Sequence, residues 1–178
     1  INRKWYKRMQ LNRVQRELNR FAKYVIKQAR TNLTKKRRNV SKKLYNSLTY
    51  NINETPDATT LTFFMEEYGY YQDQGVSGKK QKYGTPFSFK SKMPPASAFS
   101  QWVIRKGIKG TRDKKGRFVP RKSLQYLIAR SVFNKGIKPS LFFTAPFERA
   151  YDKLKVDLPK EFAEDTDNSF KFLFNVEE

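Results

Sequence analysis

Apolar residues recur every three or four positions through the first part of the chain, at Leu11, Val14, Leu18, Phe21, Ala22, Val25, Ala29 and Leu33. That spacing places them on one stripe of an α-helix. No Gly or Pro interrupts residues 5–34, so a long amphipathic helix is expected there, with Arg13, Arg16, Arg20, Lys23, Lys27 and Arg30 on its other faces. Lys35-Lys36-Arg37-Arg38 follows, where the partial negative charge of a helix C-terminus favours cations. The period then changes to two. Leu48, Tyr50 and Ile52 alternate with Thr49 and Asn51, and Leu61, Phe63 and Met65 alternate with Thr60, Thr62 and Phe64. The intervening residues 53–59 carry Pro56-Asp57, so the pair reads as a hairpin with one apolar face. The preceding helix is the natural cover for that face.

Residues 66–95 show no sustained period and are expected to be irregular. Pro94-Pro95 suits the first turn of a short helix over 96–106, with Phe99, Trp102 and Val103 on one side and Gly107 and Gly110 closing it. Within 111–119, Asp113-Lys114-Lys115-Gly116-Arg117 predicts a tight turn between short extended arms. Ser123 is placed to cap a further helix bearing Leu124, Leu127, Ile128, Ser131 and Val132 on one face and stopping at Gly136. After Pro139 and the run Leu141-Phe142-Phe143, a helix is expected over 145–158 with Phe147, Ala150, Tyr151 and Leu154 inward. Phe170, Phe172, Phe174 and Val176 then alternate with Ser169, Lys171, Leu173 and Asn175, which predicts a C-terminal strand reached through an acidic linker over 161–167. The expected fold is α+β: a long N-terminal amphipathic helix on a small, mostly antiparallel sheet, with additional short helices and that strand. Residues 1–160 form one domain in this reading, and 161–178 an extension.

Charge changes the picture. Thirty-eight Lys and Arg face sixteen Asp and Glu, for a formal net charge of +22. Residues 1–43 hold sixteen bases and one acid, 44–78 five acids and no base, and 79–122 fourteen bases against Asp113. Blocks of this kind attract a polyanion, and they also let an acidic face meet the basic face of another copy. No run of about 18 apolar residues exists, so no membrane-spanning helix is expected, and no charged-then-apolar leader is read at the start.

Candidate chemistry is sparse. The chain has neither Cys nor His, which removes the thiolate nucleophile and the usual general base and metal ligand. Glu66, Glu67 and Asp73 are the nearest carboxylates to a metal-dependent nuclease site, but no further acid is spaced to complete it. Gly75-Val76-Ser77-Gly78-Lys79-Lys80 shares only the composition of a phosphate loop, not its spacing. No catalytic, cofactor or metal residue is assigned, and no enzyme is expected. Lys109, Arg112, Lys114, Lys115, Arg117, Arg121 and Lys122 could track a phosphate backbone, and no motif for reading sequence accompanies them.

The order of segments resembles the tail-completion, or neck, proteins of long-tailed bacteriophages. The basic helix with Ala22 and Ala29 leads into Ser41-Lys42-Lys43-Leu44-Tyr45-Asn46-Ser47-Leu48, as in that family. Tyr70-Tyr71-Gln72-Asp73-Gln74-Gly75 is similar to its aromatic-rich strand, with Gln74 where the family commonly has Glu. Residues 95–107, then Ile128-Ala129-Arg130-Ser131-Val132-Phe133-Asn134-Lys135-Gly136-Ile137, resemble further family segments. Lys138-Pro139-Ser140-Leu141-Phe142-Phe143-Thr144-Ala145 is similar to its closing motif. The resemblance spans about residues 10–155.

It implies a structural virion protein, made in the host cytoplasm, that assembles with copies of itself into a six- or twelve-fold ring around the DNA channel. Portal, neck and tail proteins would be its neighbours, with packaged DNA met through nonspecific electrostatics and no membrane involved. Phe170, Phe172, Phe174 and Val176 would then join a neighbouring subunit, because an apolar strand left free is an aggregation hazard, or else fold back to complete the sheet of their own subunit. The alternative is a monomeric, basic, sequence-nonspecific nucleic-acid-binding protein.

Overall fold

The computed structural model describes residues 11–55, 58–108, 110 and 112–174, with 172–174 as backbone only. In chain order the elements are α1 (Asn12–Lys35), α2 (Lys43–Ser47), β1 (Thr49–Glu54), β2 (Thr59–Phe64), α3 (Tyr68–Gln74), β3 (Val76–Ser77), a 3-10 turn (Ala96–Phe99), α4 (Ser100–Arg105), α5 (Arg121–Lys135), β4 (Gly136–Ile137) and α6 (Thr144–Phe174). The fold is α+β, with a long N-terminal helix, small antiparallel sheets and several short helices. The chain divides into two compact units. The first comprises Ile1–Asn32, Ser47–Met65 and Phe142–Glu178, and the second Leu33–Asn46 and Glu66–Leu141.

The first unit is built by the apolar stripe of α1. Val14, Leu18, Phe21 and Val25 are buried together with Leu154 of α6, and Ile52, Leu61, Phe63, Phe147 and Leu158 pack against them. The hairpin holds the register Thr49↔Phe64 through Glu54↔Thr59. Leu61 and Phe63 are half-buried, while Thr60, Thr62 and Phe64 face solvent. Phe21 meets Phe147 and Phe63 edge-on, with ring centroids 5.5 and 6.1 Å apart. Such pairs add about 0.5–1.5 kcal/mol each beyond burial.

The C-terminal strand and the acidic linker are corrected: residues 144–174 are one helix, with Pro159 inside it. Alternation over seven residues was ambiguous, because Phe170, Leu173 and Phe174 also fit helical spacing. The acids decide it. Asp165 is buried, and its Oδ2 accepts the backbone N–H of Arg13 (2.9 Å) and of Val14 (3.1 Å). A carboxylate from α6 therefore satisfies otherwise orphaned donors at the start of α1, at the positive end of its dipole. The first turn of α1 has no acid of its own. Arg13 also pairs with Glu164, and lies 3.8 Å from Glu161. The face Glu161, Glu164, Asp165 is thus a helix-end clamp.

In the second unit β3 is the hub. It pairs antiparallel with β4, and Ser77 also bonds residues 87 and 89, with Ser77 N–H on the Phe87 carbonyl (2.8 Å) and Phe89 N–H on the Ser77 carbonyl (2.9 Å). Gly136 sits at φ 75, and a Cβ there would collide with the Val76 carbonyl. Only glycine allows that crossing. The stretch expected to be irregular therefore contains α3 and β3, and the segment likened to an aromatic-rich strand is helical. Residues 96–106 split into a 3-10 turn and α4, and both α4 and α5 pack on that turn. Helix α5 starts at Arg121 after Pro120, two residues before Ser123. Its inward face carries Gln125 and Ala129, so Leu127 stands 52% exposed.

A candidate nucleic-acid interface

The two units differ in charge. Within the sequence ranges, the second holds twenty-three Lys and Arg against Glu66, Glu67, Asp73 and Asp113, whereas the first holds fifteen against twelve acids. Four carboxylates cannot neutralise twenty-three cations in any geometry.

The expected basic turn forms around its one acid. Asp113 N–H donates to the Arg117 carbonyl (2.8 Å), and Arg112 bridges to Phe118 across the arms. Asp113 Oδ1 accepts the N–H groups of Arg117 and Lys115, both at 2.9 Å, and its Oδ2 takes Arg117 Nε at 3.0 Å. The Arg117 N–H is the largest cause holding this carboxyl below its usual value, helped by the Arg117 side chain and the Lys115 N–H. Arg112 donates to the Gly116 carbonyl (2.7 Å), and its guanidinium lies 4.3 Å from the Phe118 ring centre. Arg112 and Arg117 therefore hold the turn, and Lys114 and Lys115 are exposed at its tip. Arg121 and Lys122 are exposed on the first turn of α5, at the positive end of that helix, and that turn carries no acid. Lys109 lies outside the described residues.

A second cationic region escaped the sequence reading. A cleft of about 1150 Å³ lies within the second unit. Its cationic lining is Arg37, Arg38, Lys43, Lys90, Arg105 and Lys106, and no Asp or Glu contributes to the walls. Its aromatic lining is Tyr68, Tyr71, Phe87, Phe89, Phe99 and Trp102. Tyr71 and Phe87 pack edge to face at 4.6 Å. Burial of Val103 orients α4 so that Trp102 stays 40% exposed.

Several of these cations also hold backbone. Arg38 donates to the Lys138 carbonyl and Lys106 to the Arg37 carbonyl, each at 3.0 Å. Partial burial lowers the Arg38 pKa from its ordinary value. Lys43 pairs with Glu66 at 2.9 Å. Arg37 occupies φ 52 just past α1, where Arg38 N–H returns to the Leu33 carbonyl (2.9 Å). Glycine is the usual residue at such a helix end.

The carboxylates weighed for a metal do not converge. Glu66 meets Lys43, and Asp73 is buried with its Oδ2 accepting from Gln74 Nε2 (3.0 Å). Among the described residues no group of three or more His, Cys, Asp or Glu could hold a metal ion. Among them too, no helix is long and apolar enough to cross a membrane. Of the residues assigned to a subunit contact, Phe170 lies on α6 and is 54% exposed. The side chains of Phe172 and Phe174, and all of Val176, lie outside the described residues. Comparison of the chain with protein-family models, curated proteins and solved structures finds no match.

Proposed function

We propose that the chain is a non-enzymatic structural subunit of the phage neck or tail junction. Copies of it would form a ring around the DNA channel that joins portal components to the tail. The observation that carries the DNA-facing part is the division of charge, with the second unit strongly cationic and the first close to balance. The ring follows from the resemblance of the segment order to neck proteins. Exposed apolar side chains of the first unit support it: Phe64, Val156, Phe162 and Phe170 are each about half exposed. Lys114, Lys115, Arg121 and Lys122 offer exposed charges on the turn and the start of α5, which suits backbone contact without sequence preference.

Native mass spectrometry together with duplex-DNA titration tests the reading. A closed oligomer that Phe162→Asp or Phe170→Asp disperses, and a duplex affinity that falls with log [salt] at about −0.9 per phosphate contacted, are expected. A chain that stays monomeric at all concentrations while binding DNA would favour the alternative of a monomeric nucleic-acid-binding protein. A chain that binds no DNA would overturn the DNA-facing role.

A further inference from the structure

The cleft of the second unit asks for a ligand that the basic turn does not. Phosphate contact alone requires exposed cations, and Lys114 and Lys115 already supply them. The cleft adds exposed ring surface on a concave, largely apolar floor, with cations around it. Trp102 and Tyr71 line it and are 40% and 45% exposed. Arg37, Lys90 and Arg105 line the same walls, and among the described residues none of the three enters an ion pair.

We infer that this cleft binds a single-stranded nucleic acid, with bases stacked on Trp102 and Tyr71 and phosphates against Arg37, Lys90 and Arg105. Ring faces and cations along one groove are the recurring combination for single strands, because every base offers a π-face. In a duplex those faces are covered by neighbouring base pairs, so the aromatic floor would have nothing to receive. At about 1150 Å³ the cleft exceeds the roughly 300–1,000 Å³ of an ordinary small-molecule site, which fits a stretch of chain rather than a lone nucleotide. A polymer with one negative charge per unit also matches walls whose six cations meet one acid, Glu66 at Lys43, among the described residues.

The inference deepens the nucleic-acid part of the proposed function and does not depend on the ring. Its test separates the two. The full chain carrying Trp5→Phe keeps Trp102 as the sole tryptophan. It is titrated with a 12-nucleotide oligo-dT, a 12-base-pair duplex and a 12-residue poly-glutamate, and affinities are measured in parallel by anisotropy of labelled oligonucleotides. Oligo-dT should quench Trp102 saturably, with a salt slope near −0.7 per phosphate neutralised. Trp102→Ala should weaken oligo-dT by roughly 5- to 150-fold, the range for loss of one base stack, and leave duplex affinity within about twofold. Trp102→Phe should recover most of the single-strand affinity, which a merely misfolded variant would not do.

Equal quenching by duplex, or equal weakening of both nucleic acids by Trp102→Ala, would overturn the stacking cleft while leaving duplex contact standing. Quenching by poly-glutamate as tight as by oligo-dT would overturn it in favour of an acidic peptide. Absence of binding to any nucleic acid would overturn both this inference and the DNA-facing role.

Discussion

The two units handle charge in opposite ways. In the first, several cations meet anions of the same unit. Arg13 faces Glu161 and Glu164, Arg20 contacts Glu17 and Asp157, and Lys155 contacts Asp152 at 2.8 Å. Even the buried Asp165 is consumed by the start of α1. In the second, the cations outnumber the acids nearly sixfold. Several turn instead to backbone carbonyls, as Arg38 and Lys106 do. The basic residues of α1 look from sequence like a binding face, yet Arg13 and Arg20 pair with acids of the first unit. A run of Lys and Arg points to a polyanion only where the fold leaves it without counter-charge.

Neutralising cations in each unit gives the largest expected difference. The combined Lys114→Gln, Lys115→Gln, Arg121→Gln and Lys122→Gln variant should lose on the order of 100-fold in duplex affinity at low salt, with a slope shallower by about 0.9 for each cation that met a phosphate. The matched variant Arg20→Gln, Lys153→Gln and Lys155→Gln, whose cations meet acids of their own unit, should stay within about threefold. Equal losses in both, read by anisotropy, would erase the distinction between the units.

Stability changes should also divide by unit. Gly136→Ala forces a side chain onto a left-handed backbone against the Val76 carbonyl. It should cost about 1–3 kcal/mol in chemical denaturation, with loss of the single-strand response of Trp102. Asp165→Ala removes the acceptor for Arg13 and Val14, at a cost of about 1–2 kcal/mol. Asp165→Asn, which retains an acceptor, should cost less. Neither Asp165 variant should change nucleic-acid affinity in the folded protein.

Much of this was legible in the chain, and the failures are physical. The stripe from Leu11 to Leu33 and the alternation in Leu61 and Phe63 forecast α1 and the hairpin because one-sided burial imposes those periods. The C-terminal helix was misread because Phe170, Phe172 and Phe174 satisfy period two, while the signal in Glu161, Glu164 and Asp165 is one of charge at helical spacing. Leu127 was placed inward because its hydrophobicity outweighed that of Gln125, the residue that is buried. The basic turn could be read because Asp113, Gly116 and Arg117 are adjacent in sequence. The cleft could not, because residues 37–43, 68–72, 86–90 and 98–106 converge only through β3 and the packing of α4 and α5.

The smallest expected effect is that of pH. The Asp113 carboxyl is held below its usual value in the folded turn. Its contribution is therefore complete above the unfolded carboxylate value and is lost as pH falls through the depressed folded one. With no His in the chain, duplex affinity should be flat between about pH 6 and 8. The amide signals of Lys115 and Arg117 should shift only in acid, below about pH 4. Asp113→Asn should abolish that acid-range change.

Lysine acetylation footprinting with and without duplex DNA tests the division between the units most directly, because it reads every exposed lysine in one experiment. DNA should protect Lys114, Lys115 and Lys122 of the second unit, while Lys153, Lys155 and Lys171 of the first, each beside an acid of that unit, react as fast as in free protein. Protection of the first unit's lysines, with Lys114 and Lys115 still reactive, would contradict it.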